Sequence, residues 1–403
     1  MQIVGHRSQR HFAHLPQGVR EGIFAHAPEP FDVSSPLGDV GTALGATLYL
    51  PATRPHLTDD LLRQGARGVV SAVVCLEDAI ADSEVEGAQA HTITSLRRLA
   101  ERLATADATA PLVFVRVRHP EQIVDIATAL AEPPAPGGSD VLAGFVLPKF
   151  TAASGAGFLQ ALAHASRAVG HPLLAMPVIE SPEVVHLETR HAALAGVAAL
   201  LAQHRDVVPA VRIGATDLCA ALGVRRSREL TAYDIGAVAA TIYDVVNVLG
   251  RADGTGFVIS GPGWEYFADR SRLFKPQLRE TPFAALTGPD LRHALIDRDV
   301  DGLIREIVLD QANGLTGKTV VHPSHVPVVH ALSVVSLEEH CDALDVVGQQ
   351  ARGGGVLASG YRNKMNESGP HLAWAERTLV RARMYGVARE QVGPVDLLAA
   401  LDA

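Results

Sequence analysis

Two acidic residues stand where short apolar runs end. The run 173–179 leads straight into Glu180, in Pro177-Val178-Ile179-Glu180-Ser181. The run 211–213 is followed within four residues by Asp217, in Gly214-Ala215-Thr216-Asp217-Leu218. Short apolar runs bounded by turn residues read as buried strands, so each carboxylate is set at a strand end. Neighbouring strands lie about 4.8 Å apart, close enough for two such carboxylates to share one cation. Neither acid has a histidine or cysteine as its immediate neighbour. An oxygen-only pair suits a hard ion, Mg²⁺ or Mn²⁺. Either acid alone would more simply cap the following helix; the matched pair favours metal.

Further charges end other runs. Cys75-Leu76-Glu77-Asp78-Ala79 places two acids after a strand. Asp78 is suited to hold a metal-bound water or move a proton, and Glu77 to orient an arginine; a helix-start acid pair is the plain alternative. Val115-Arg116-Val117-Arg118 puts two arginines on one strand face. A charge after several apolar strand residues needs a partner. Arg116 could find one in a substrate carboxylate, in a developing enolate or in Glu77, with Arg118 at the rim. Lys149, after Pro148, could form a Schiff base or act as a point charge; the carboxylate pair favours the second. Arg54, Gly261, Pro262 and His322 end the remaining runs and are candidate substrate contacts. A lone histidine there is more often a hydrogen-bonded wall residue. Gly317-Lys318-Thr319 lacks the Gly-x₄-Gly-Lys spacing of a phosphate loop, which argues against ATP binding by that route.

What must position these residues is a set of eight strands. The apolar runs are 47–50, 69–76, 112–117, 145–147, 173–179, 211–213, 257–259 and 319–321. They alternate with helical segments at 58–65, 87–105 and 231–249, the last with Thr231 as its cap and Gly250 as its stop. The alternation predicts an α/β fold, a (β/α)₈ TIM barrel, whose reacting groups gather at the carboxyl ends of the strands. An arm over 1–44, packed outside the barrel, would precede a catalytic barrel over 45–330. A helical C-terminal extension over 331–403 would follow, with helices near 337–349 and 370–385 and a glycine joint at Arg352-Gly353-Gly354-Gly355. The segment 264–286 carries Arg270, Arg272, Lys275 and Arg279. It reads either as a lid over an anionic substrate or as a solvated excursion.

Composition narrows the class. The chain has 403 residues, 47% of them hydrophobic, enough for one barrel of roughly 250 residues plus extensions. A net charge of −9 without a basic block argues against nucleic acid. Three scattered cysteines, Cys75, Cys219 and Cys341, suit neither a disulfide framework nor a zinc site. With no apolar leader and no membrane-length run, a cytoplasmic protein is expected.

Seven motifs, in order, resemble the HpcH/HpaI aldolase and citrate lyase β-subunit family: LYLPATRP, VVCLEDAI, VFVRVR, VLPK, MPVIESP, IGATDL and GLTGKTVVHPS. The resemblance implies a TIM-barrel carbon–carbon lyase that uses Mg²⁺ on carboxylate substrates, many of them CoA thioesters. It implies that Glu180 and Asp217 bind the metal, that Arg116 steadies an enolate, and that Glu77 and Asp78 line the site. It also suggests a homo-oligomer. The family often has aspartate where Cys75 stands and asparagine where Arg118 stands. Arg118, Arg270, Arg272 and Lys275 would suit a phosphorylated or multiply anionic substrate. Three functions remain in view: the metal-dependent lyase, a Schiff-base aldolase using Lys149, and a barrel that binds a metabolite without turnover.

Overall fold

The structure is a computed structural model that describes residues 8–105, 108–132, 139–267 and 300–402. Eight strands close into one barrel: β1 Ala46–Pro51, β2 Ser71–Cys75, β3 Leu112–Arg116, β4 Leu142–Leu147, β5 Leu174–Ile179, β6 Ala210–Ile213, β7 Val258–Trp264 and β8 Lys318–Val320. Each pairs in parallel with the next, and β8 returns to β1. The (β/α)₈ expectation therefore holds, with a strand at every predicted run.

The near-continuous apolar character of these strands has a physical cause. A parallel sheet wrapped by helices is buried on both faces. Successive residues alternate between them. Val73, Phe114, Val146, Met176, Val178 and Ala210 fill the lumen. Ala72, Val74, Val113, Val115, Phe145 and Ala175 belong to the larger core that includes the surrounding helices. This two-residue period also fixes where the strand-end charges go. Glu77, Arg116 and Glu180 continue the lumen-facing rows.

The amino-terminal arm does not simply pack on the outer wall. Its helix Leu37–Ala43 closes the barrel floor, where Val40, Ala43 and Leu44 join the lumen cluster. Gly41 permits the approach, since an added Cβ would lie 2.9 Å from the Pro209 carbonyl carbon. The arm is also tied to the C-terminal segment. Strand Phe24–His26 pairs antiparallel with Val387–Ala388, and the Tyr385 hydroxyl donates to the Thr42 carbonyl at 2.8 Å. Beside that bond, His11 stacks on Tyr385 at 4.3 Å and meets His330 edge-on at 4.5 Å. Both histidines are fully enclosed, and burial pushes His11 down to about 4 and His330 well below its ordinary value.

The expected helix 231–249 is interrupted. Thr231 donates from its amide and hydroxyl to Asp234, at 2.7 and 2.8 Å, closing a separate 3₁₀ turn over Ala232–Asp234. Ile235 is then extended, and the α-helix begins anew as Gly236–Leu249. In the C-terminal segment, helices Leu337–Ala351 and Ser368–Tyr385 pack together. A hairpin of Val356–Ala358 and Met365–Glu367 lies between them in sequence, and a further helix, Pro394–Asp402, follows. Gly353, Gly354 and Gly355 all have positive φ, a turn that side chains disfavour. Cys75 and Cys219 are free and buried, and Cys341 is free and partly exposed. Arg270, Arg272, Lys275 and Arg279 lie outside the described residues. Among the described residues, no helix is long and apolar enough to cross a membrane.

Candidate active site

Six charged side chains from five strand ends meet at the carboxyl-terminal mouth of the barrel. Arg116, the last residue of β3, is the hub. Its Nη2 lies 2.7 Å from Glu77 Oε2, 3.2 Å from Asp78 Oδ2 and 2.9 Å from Glu180 Oε1. Lys149 follows β4 with a left-handed backbone, φ 46°. Such a conformation costs a non-glycine residue about 1 kcal/mol or more and tends to persist where function needs it. Here it lets the Lys149 amide donate to Glu180 Oε1 at 2.9 Å. The Lys149 ammonium lies 2.5 Å from Glu77, 3.5 Å from Asp78 and 3.9 Å from Asp217. Asp217 sits in the first turn of the short helix Ala215–Ala220, which starts directly after β6.

The electrostatics of the cluster are unbalanced. Four carboxylates face two cations, leaving two negative charges when all are ionised. Burial, opposed by Arg116 and reinforced by the charges of Asp217 and Glu77, pushes the Glu180 carboxyl up to about 7. Burial and the neighbouring Asp78 also raise Glu77. For Asp78, burial acts upwards, but hydrogen bonding to Glu77 and the charges of Arg116 and Lys149 hold it below its ordinary value.

The arrangement fits a divalent cation. Both hydrogen bonds to Glu180 among the described residues reach Oε1. Oε2 lies against Gly214, at a place that a side chain on that residue would fill. Glycine there leaves the second oxygen its space. No group of three His, Cys, Asp or Glu side chains converges as a ready metal cage among the described residues. Two carboxylates, with water and substrate completing the shell, are the usual arrangement for Mg²⁺. A cavity of about 1140 Å³ lies at the opposite, floor end, near Leu37, Pro209 and Trp374, and none of the six charged residues lines it.

Other residues singled out in the sequence fall elsewhere. Arg118 lies beyond the end of β3 and turns away from the Arg116 side. Its Nε donates to the Leu76 carbonyl at 2.8 Å and its Nη2 to the Glu77 and Ile80 carbonyls at 3.1 and 3.0 Å, and it pairs with Asp82. It therefore clamps the loop that carries Glu77 and Asp78. Arg54 pairs with Asp60 of the following helix. Gly261 faces outwards, where an added Cβ would come within 2.6 Å of Asp310, and Pro262 is buried beside it in β7. His322 is at the rim, stacked on Phe267 at 4.4 Å with its Nδ1 2.7 Å from Ser324 Oγ. Gly214, whose missing side chain leaves Glu180 Oε2 its space, carries no signal of that role in the sequence.

A family model described as a C–C bond lyase of the TIM-barrel fold matches residues 39–387. The chain belongs to that family. It is, by class, a carbon–carbon lyase, in agreement with the resemblance carried by its motifs. Among solved structures it is similar to CitE from Mycobacterium tuberculosis, in complex with magnesium, acetoacetate and coenzyme A. The identity is 20% over 85% of this chain and 99% of that one, with a TM-score of 0.51. It is also similar to a citrate lyase from Burkholderia xenovorans LB400, at 16% identity over 89% of this chain and 96% of that one, with a TM-score of 0.57. At such identities the likeness bears on the barrel fold. A comparison with curated proteins gives no match.

Proposed function

We propose that this lyase cleaves or forms a carbon–carbon bond in a small carboxylate-bearing substrate, with Mg²⁺ held by Glu180 and Asp217. The observation that carries the reading is the excess of two negative charges around a buried glutamate whose second oxygen is given room by Gly214. Mn²⁺ would suit the same oxygens. A bound divalent ion would orient a substrate carboxylate and its neighbouring oxygen and draw charge from them.

The chain's own residues supply the rest. Arg116 presents Nη2 to the lumen between three carboxylates, where it can stabilise charge developing on an enolate oxygen. Stabilisation of that kind is usually the largest single contribution to catalysis. Asp78 is half exposed and ionised at neutral pH. It is placed to take the proton from the substrate hydroxyl that becomes a carbonyl. As that proton passes to Asp78, the carbon–carbon bond breaks and its electron pair enters the enolate; return of the proton from Asp78 to the enolate carbon completes the cleavage and restores the carboxylate. Glu77 holds Arg116 and Lys149 in place, and Arg118 holds the Glu77 loop.

Lys149 is best read as a point charge. Its ammonium is engaged by carboxylates, and although burial alone would lower its pKa, Glu77, Asp78 and Asp217 raise it. A Schiff-base lysine needs the opposite environment. His322, at the rim, is a candidate contact for a longer substrate such as a CoA thioester, whereas Arg54 is engaged by Asp60. We further propose a cytoplasmic homo-oligomer. The decisive test is Glu180→Gln with Mg²⁺ titration. Loss of Mg²⁺ binding and turnover is expected in a folded protein, and unchanged Mg²⁺-dependent activity would reject the assignment.

A further inference from the structure

The floor cavity lies at the opposite end of the barrel from the strand-end charges, and the proposed chemistry does not use it. Its volume of about 1140 Å³ exceeds the roughly 300–1,000 Å³ of most small-molecule pockets. One wall is a face of helix Ser368–Tyr385, where Trp374, Arg377 and Arg381 recur three and four residues apart. Another is the barrel loop 250–257, with Arg251 on it and Arg205 beside it. Four arginines (Arg205, Arg251, Arg377 and Arg381) and two glutamates (Glu339 and Glu376) line the space, leaving a local charge of +2. The chain as a whole carries −9.

Three of these arginines gather on the one loop. Arg377 Nη2 donates to the Gly250 carbonyl at 2.7 Å. Arg251, the next residue, donates from Nε to the Asn247 carbonyl at 2.8 Å. Arg205 donates to the Thr255 carbonyl and, at 3.1 Å, to the Gly256 carbonyl, with its guanidinium carbon 4.4 Å over the Phe257 ring. The loop folds back on itself: a Cβ on Gly256 would lie 2.5 Å from the Arg251 nitrogen. Its two ends therefore bring the three guanidinium groups into one neighbourhood. Among the described residues, none of the three pairs with a carboxylate. Asp253, the acid of this loop, accepts from the Thr255 amide at 2.9 Å, and Glu339 is taken by Arg381 at 3.1 Å. Carbonyl oxygens leave each guanidinium its full charge and N–H groups to spare. On the helix wall Trp374 is 39% exposed, while Ala375 and Thr378 of the same helix are buried. Arginine forks match phosphate oxygens, and an indole face accepts a stacked planar ring.

We propose that this cavity is a second ligand site, independent of the lyase centre, that takes a nucleoside diphosphate. Arg205, Arg251 and Arg377 meet the phosphates, and Trp374 meets the base. Three cations without counter-charges suit a ligand of several negative charges, and the exposed indole suits one that also carries a planar ring. Such a ligand bridges the barrel floor and the C-terminal helix.

The chain has two tryptophans, and Trp264 is 1% exposed, so quenching by an added ligand reads Trp374. The test titrates ADP into the full chain with a chelator in place of Mg²⁺, which keeps metal-bridged binding at the mouth out of the signal. Saturable quenching in the micromolar range is expected, with adenosine and inorganic pyrophosphate each at least 10-fold weaker by calorimetry. Arg251→Met and Arg377→Met, both at exposed positions, should each weaken ADP by roughly 10-fold or more. Should one of them fail to fold, the other decides. Trp374→Phe should abolish the fluorescence response. No saturable response to ADP, a response that survives Trp374→Phe, ADP affinity unchanged in a folded arginine variant, or pyrophosphate binding as tightly as ADP would each overturn the assignment.

Discussion

Gly214→Ala is the sharpest probe of the mouth, because it alters no charged group and no residue that would touch substrate. The backbone at Gly214, φ −95° and ψ 74°, lies outside the left-handed region, so alanine brings little conformational strain. Its methyl would lie 2.6 Å from Glu180 Cβ and 3.0 Å from Glu180 Cδ, with Oε2 nearer still. Ordinary contact begins at 3.4 Å. The Glu180 stem must therefore retreat by about 0.8 Å and its free oxygen by more. Glu180 is buried, with Arg116 and the Lys149 amide fixing Oε1, so the displacement falls on Oε2. A misplacement near 1 Å in a catalytic constellation can cost about 100-fold in rate. We expect Gly214→Ala to stay folded by circular dichroism, to bind Mg²⁺ at least 10-fold more weakly by calorimetry, and to lose about 100-fold in kcat/KM. Wild-type Mg²⁺ affinity and turnover in the folded variant would refute the role given to Oε2 and, with it, the geometric basis of the metal site.

Other outcomes follow from the same geometry. Arg118→Ala removes three hydrogen bonds from the loop carrying Glu77 and Asp78, and should lower stability by about 2–3 kcal/mol in urea unfolding; an unchanged midpoint would show that the loop is held by other means. Borohydride with candidate carbonyl substrates should leave the wild type unmodified by mass spectrometry, whereas an adduct that vanishes in Lys149→Ala would reinstate the Schiff-base route. Stability should also fall in acid. His11 is held neutral by burial, with its value lowered from 6.5 to about 4. Its contribution is complete above pH 6.5, is lost as pH drops towards 4, and amounts to about 3 kcal/mol. His11→Phe should flatten that decline in pH-dependent unfolding, and an unaltered acid limb would count against the account.

The strands are legible in the sequence because a parallel barrel buries both faces of every strand, so each one prints as an apolar run. The strand-end charges are legible for a related reason: a charge after several lumen or core residues has few places to go. Glu77, Arg116, Lys149, Glu180 and Asp217 follow such runs, and the structure brings them together. What the sequence conceals is direction beyond the last ladder bond. Arg118 shares the parity of Arg116, yet β3 has ended and its side chain turns to the 76–82 loop. Arg54 has an acid six residues along, in the next helix, and goes there. Gly261 lies where β7 is irregularly registered with β8, and its outward face depends on Asp310, far away in sequence. The floor helix Leu37–Ala43 is short and only partly apolar, so its burial depends on the barrel rim it meets.

The pairing of Phe24–His26 with Val387–Ala388 gives the molecule two poles of unlike character. At one pole, early and late segments are paired into a shared plug, where His11, His330 and Tyr385 pack in a buried seam. At the other, the six charged residues of the mouth lie at or just beyond the strand ends, away from that plug. Substitutions that retune chemistry can therefore accumulate at the mouth without loosening the seal, while trimming residues 387–389 should unseat the plug even though no charged group of the mouth has been touched.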